Sequence, residues 1–190
     1  MVDYSADIRA CVDTLHRGGI ILYPTDTVWG IGCDATNEAA IEKIFSLKKR
    51  AKEKSLIVLL AAARDVLQYV AAPPPDVIDL IETFEEPTTI IFRNAIHLAE
   101  NATAEDGSIA IRVPGDPFCK ALLRRFGKPI ISTSANQSGE HTARIFAEIS
   151  SSIINGVEYV VKYRQDDTSI NQPSRIIRFA DDGRLVVLRS

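Results

Sequence analysis

Hydroxyl and cationic side chains gather at several places in this chain, each at the edge of an apolar run, and such groups together are suited to gripping phosphate or carboxylate. The first is Tyr23-Pro24-Thr25-Asp26-Thr27-Val28-Trp29-Gly30-Ile31-Gly32, where two threonines and an aspartate follow an apolar strand. Its two glycines would let the backbone approach a ligand, although the same spacing fits a turn whose Thr and Asp bond their own backbone. The second is Lys48-Lys49-Arg50-Ala51-Lys52-Glu53-Lys54, which reads either as a solvated helix end or as a polyphosphate clamp. In the third, Ser108-Ile109-Ala110-Ile111-Arg112-Val113-Pro114, strand alternation puts Ser108, Ala110 and Arg112 on one face, with a small residue leaving room for a ligand. The fourth, Ile130-Ile131-Ser132-Thr133-Ser134-Ala135-Asn136, carries three hydroxyls and an amide. No GxSxG elbow surrounds Ser134, so hydrogen bonding to a ligand is its expected role. Pro173-Ser174-Arg175 adds one more hydroxyl at the start of a strand. The chain contains neither GxGxxG nor GxxxxGK[ST], the usual dinucleotide and P-loop signatures.

Apolar periodicity predicts the elements that carry these segments. Steps of three to four residues predict helices over 5–15, 38–47, 77–84, 118–126 and 145–153, with Asn37 a plausible N-cap and Gly127 a C-cap. Compact apolar or alternating runs predict strands over 20–23, 56–60, 88–92, 108–113, 129–132, 158–161, 174–179 and 185–188. Pro73-Pro74-Pro75 marks a loop within one domain spanning 1–190. Helices and strands interleave, but the last third is rich in strands. The expected fold class is therefore α/β with an α+β character, a mixed sheet with helices packed on it.

The 190 residues carry 22 Lys and Arg against 25 Asp and Glu, a formal charge of −3. That balance argues against a general electrostatic coat for nucleic acid, so an anion site must be local. The longest apolar run, residues 56–63, is too short to cross a bilayer, and the first residues lack the basic start and apolar core of a secretory signal. Cys11, Cys33 and Cys119 are odd in number and far apart, as are His16, His97 and His141. The expectation is a reducing cytoplasm, with neither a disulfide framework nor a zinc site.

Taken in order, the segments resemble the YrdC/TsaC family of L-threonylcarbamoyladenylate synthases. PTDTVWGIG is similar to the family's PTDTVYGLG, KKRAKEKSL to KGRPxxxPL, SIAIRVP to TVAVRxP, STSAN to SxSAN and PSRII to PSTIV. The resemblance implies a single YrdC/RibB-like domain, a twisted open mixed β-sheet flanked by helices. It implies a nucleotidyltransferase that joins L-threonine, bicarbonate or CO2, and ATP with Mg²⁺ into threonylcarbamoyl-AMP and pyrophosphate. By the same resemblance Lys48 and Arg50 are the catalytic cations, and Arg50, Lys54, Ser108, Ser134, Thr142 and Arg189 are the ATP contacts. Thr27, Arg112, Ser132 and Ser174 fall on the threonine side. Contact with RNA or tRNA, and a downstream threonylcarbamoyl-transferase complex as recipient of the product, are also implied. The alternative is a double-stranded RNA-binding or nucleotide-binding module of the same fold without synthase activity. The chain departs from the pattern at Lys49 and Ala51, at Leu59 where many members carry His, at Trp29 and at Arg175.

Overall fold

The computed structural model describes residues 3–49, 56–180 and 182–190. Among them nine strands form one sheet: β1 (Ile21–Tyr23), β2 (Gly30–Asp34), β3 (Ile57–Leu59), β4 (Thr88–Phe92), β5 (Ile109–Arg112), β6 (Ile130–Ser134), β7 (Tyr159–Val160), β8 (Arg175–Phe179) and β9 (Leu185–Arg189). Their order is β7-β1-β2-β6-β3-β5-β4-β8-β9. Pairs β1/β7, β3/β5 and β4/β8 are parallel and the others antiparallel, so the sheet is mixed as expected.

Helices cover the sheet where the sequence offers an apolar stripe and a cap. Helix α1 (Ser5–His16) buries Ile8, Cys11, Val12 and Leu15. It also buries Asp7, whose carboxylate accepts from Tyr159 Oη at 2.6 Å and from the backbone N–H groups of Lys162 and Tyr163. Helix α2 (Glu38–Lys48) starts at Asn37, which accepts from Ala40 N, and stops at Lys49 in the left-handed region. Two short helices, α3 (Val66–Tyr69) and α4 (Val77–Glu82), flank the triple-proline loop. Helix α5 (Pro117–Phe126) has Asp116 as N-cap, proline in its first turn and Gly127 as its left-handed stop, and it packs against α1. None of the described helices is long and apolar enough to cross a membrane.

Two expectations need correction. Residues 145–153 do not form one helix: a 3-10 turn at Phe146–Glu148 is separated from α6 (Ser151–Ile154) by Ile149 and Ser150 in extended conformation. The Ser150 and Ser152 hydroxyls bond each other at 3.0 Å across the start of α6. Strand β2 lay hidden in a segment that reads as a glycine-rich turn. It pairs with both β1 and β6, and its glycines are there for space. A Cβ on Gly32 would stand 2.6 Å from Ile131 O and 2.8 Å from the Tyr23 ring.

The register sets side chains from seven strands in line. Asp34, Ile130, Leu59, Arg112, Thr89, Ile176 and Arg189 are successive cross-strand partners from β2 to β9. A second row on the same face runs Gly32, Ser132, Ile57, Ala110, Ile91. Arg112 and Arg189 thus share a face three strand spacings apart, about 14 Å at the backbone.

Because the Gly32 site is closed by backbone on one side and a buried ring on the other, Gly32→Ala is expected to lower stability by about 1–3 kcal/mol in chemical denaturation, with the far-UV spectrum retained.

Candidate active-site cleft

The second row is made largely of small residues, and the space above it is a cleft of about 310 Å³. Gly30, Ser132, Ser134 and Ala110 line its floor with Ile57 and Ile91, while Thr25, Thr27, Trp29 and Thr142 come from flanking loops. Arg112, Ser174, Ile176 and Arg189 close its β5–β9 side. The Tyr23 ring packs on the cleft-side face of Gly30 and Gly32, and its hydroxyl donates to Ser132 Oγ at 2.8 Å. Burial pushes the Tyr23 phenol far above its usual range, so it remains a donor and leaves the Ser132 hydrogen available to another acceptor.

Arg112 is only 4% exposed. Its Nη1 donates to Thr27 Oγ1 at 2.9 Å, and its Nη2 lies 3.5 Å from Asp26 Oδ1. Arg112 Nε and Asp26 Oδ1 are both buried without a hydrogen-bond partner. The other Asp26 oxygen accepts from Gly115 N at 2.7 Å, tying this loop to the end of β5. Thr27 is itself fixed, since its N–H donates to Thr25 Oγ1 at 3.0 Å and Thr25 Oγ1 donates to Val28 O.

Ser174 Oγ and Thr89 Oγ1 are 2.8 Å apart, and the Ser174 carbonyl accepts from Arg189 Nε and Nη2. Burial first, and then the charge of Arg112, hold the Arg189 guanidinium below its ordinary value. Two cations therefore repel across one cleft, and among the described residues no carboxylate lines it. Asp26 offsets part of the Arg112 charge, and the balance left on the cleft is complementary to an anionic ligand.

Thr27, Arg112, Ser132, Ser134, Thr142, Ser174 and Arg189, all singled out from the sequence, meet here. Ser108 lies on the strand face of Ala110 and Arg112 but just before β5, outside the lining. Lys48 is also outside it: the side chain is 1% exposed, with its ammonium donating to the carbonyls of Ser134 and Asn136. It braces the loop that presents Ser134 from behind. Arg50 and Lys54 fall outside the described residues. Sequence reasoning missed Tyr23 and Thr89 as supports for Ser132 and Ser174, because those pairings depend on strand register. Asp26 was visible within its motif, but its place beside Arg112 was not. No group of three His, Cys, Asp or Glu among the described residues is placed to hold a metal, and Cys11, Cys33 and Cys119 are buried free thiols.

The sheet is mixed and carries on one face a hydroxyl-lined cleft with two guanidiniums on its β5–β9 side. The family model for Sua5, YciO and YrdC, described as telomere recombination, matches residues 13–190, and the chain belongs to that family. It is 36% identical over 157 residues to a threonylcarbamoyl-AMP synthase of Pseudoalteromonas translucida, covering 81% of this chain and 84% of that protein. It is 33% identical to one of Xanthomonas euvesicatoria, covering 95% of this chain and 96% of the other. Two P. abyssi Sua5 structures superimpose with TM-scores of 0.89 and 0.86 at 23% and 22% identity, the second complexed with L-threonine. They align over 99% and 100% of this chain, which spans 57% and 55% of theirs.

Lys48→Met keeps the length of the side chain but leaves the Ser134 and Asn136 carbonyls without their charged donor. It is expected to cost about 1–3 kcal/mol of stability, measurable by denaturant titration.

Proposed function

We propose that this protein is an L-threonylcarbamoyladenylate synthase, forming threonylcarbamoyl-AMP and pyrophosphate from L-threonine, bicarbonate or CO2, and ATP. This is the first step of N6-threonylcarbamoyladenosine formation in tRNA. The observation that carries the reading is Arg112, which lines the cleft together with Thr27, Ser132 and Ser174 and has Arg189 on the same side. A threonine carboxylate would meet that guanidinium, while Ser132, Ser174 and Thr27 supply hydroxyls for the polar groups of the amino acid.

Threonine as an amino acid is a zwitterion, and its ammonium would meet two guanidiniums, with the nearby Asp26 already facing Arg112. Once the ammonium has lost a proton to solvent base, the free amine adds to CO2 and a second proton leaves, giving a carbamate, and the molecule then carries two negative charges. The cleft electrostatics favour that form. A carbamate oxygen attacks the α-phosphorus of ATP, the bond to the bridging oxygen breaks, and pyrophosphate leaves. Ser134, Thr142 and Arg189 would contact the nucleotide, and Arg50 and Lys54 would neutralise the departing phosphates. Mg²⁺ would arrive on the ATP phosphates as part of the substrate. The chemistry needs no protein nucleophile, in keeping with a cleft that offers donors. In this reading the protein works in the cytoplasm and passes a labile adenylate to a threonylcarbamoyl-transferase acting on tRNA.

Incubation with ATP, L-threonine, bicarbonate and Mg²⁺ is expected to yield threonylcarbamoyl-AMP by mass spectrometry, with pyrophosphate release that stops when threonine is omitted. Release that continues unchanged without threonine would point to nucleotide hydrolysis and overturn the assignment. Arg112→Ala is expected to raise the threonine KM on the order of a hundredfold, with a much smaller change in the ATP KM. An unchanged threonine dependence would remove Arg112 from the amino-acid site.

A further inference from the structure

Arg164 is a non-glycine residue in the left-handed region, at φ 66°, in the loop after β7. An L side chain there is strained, and the position persists only where surrounding contacts hold it. The contacts are specific. Arg164 Nη1 donates to Asp116 Oδ2 at 2.9 Å, Nε to Asp167 Oδ2 at 3.2 Å, and Nη2 to the carbonyl of Thr25 at 3.3 Å. Asp116 is 8% exposed and, through Oδ1, caps the first turn of α5. One guanidinium thus joins the start of α5 to the backbone of the segment carrying Thr25, Asp26 and Thr27, from 139 residues further along the chain. Cys119 Sγ to Pro24 O and Gly115 N to Asp26 Oδ2 bind the same two pieces on either side. Arg164 does not line the cleft.

We propose that Arg164 is a positioning residue for the amino-acid side of the cleft. Its clamp on Asp116 and Thr25 fixes the 25–27 backbone, which keeps Thr27 Oγ1 on Arg112 and leaves the remaining guanidinium donors turned to the ligand. The inference rests on the threonine reading of the cleft for its kinetic consequence, and on geometry alone for the clamp. Glycine is at ease at this φ, so Arg164→Gly removes the clamp while relieving backbone strain.

The test compares wild type, Arg164→Gly, Asp116→Asn and the double variant. Asparagine keeps the helix cap while discarding the charge partner. In each variant, amide hydrogen exchange at residues 25–28 should rise by more than the global loss of stability read from the thermal midpoint accounts for. The threonine KM should rise roughly tenfold, the size of a lost charge-assisted hydrogen bond, with the ATP KM preserved. The double variant should be no worse than either single one, because both break the same clamp. Unchanged exchange at 25–28 in Arg164→Gly would overturn the clamp, as would equal rises in both KM values. If wild type makes no threonylcarbamoyl-AMP, the synthase reading fails while the exchange measurement still decides the clamp.

Discussion

A guanidinium buried to 4% exposure must be neutralised or hydrogen-bonded, and the arrangement around Arg112 meets that demand incompletely. One nitrogen is bonded to Thr27, one stands at salt-bridge distance from Asp26, and one has no partner. The strand that carries Arg112 is flanked by β3 and β4, which fixes its backbone within the sheet. The rest of the site is arranged around this residue: the loop after β1 brings its acceptors, and the end of β5 ties that loop back through Gly115. An anion bound in the cleft would add to the neutralisation that Asp26 supplies.

The cleft owes its shape to missing side chains. Glycine in β2, serine in β6 and alanine in β5 occupy the positions where larger residues would fill the space above the sheet. Tyr23 takes up part of the room the glycines leave and spends its hydroxyl on Ser132. Chemistry and packing therefore draw on the same glycines. A gain in bulk at β2 would disturb the floor of the site as well as the fit of β1 and β6.

Periodicity made α1, α2 and α5 legible, since each combines an apolar stripe with its own cap or stop, and most strands were marked by compact apolar runs. Strand β2 was not, because Gly30-Ile31-Gly32 carries a turn-like composition and its strand character comes from neighbours on both sides. The broken helix near Ile149 shows the reverse case, with an apolar spacing of 3–4 residues interrupted by extended backbone at Ile149 and Ser150. Ser132, Ser174, Thr27 and Arg112 could be chosen from motifs. Their supports Tyr23, Thr89 and Asp116 could not, because each lies on another strand or loop.

What the sequence determined by itself was the local grammar and the inventory: capped helices, apolar strands, and hydroxyls and cations at strand ends in an otherwise slightly acidic chain. Those follow from interactions within a few residues, which spacing records. Tertiary structure alone decided that Arg112 and Arg189, 77 positions apart in number, would share one cross-strand row and raise the positive potential of a single cleft. It also decided that Lys48 would brace the Ser134 loop, and that Arg164 would reach back to Thr25. Such outcomes depend on strand order and register, which arise from the packing of the whole sheet and leave no trace in the spacing of any one segment.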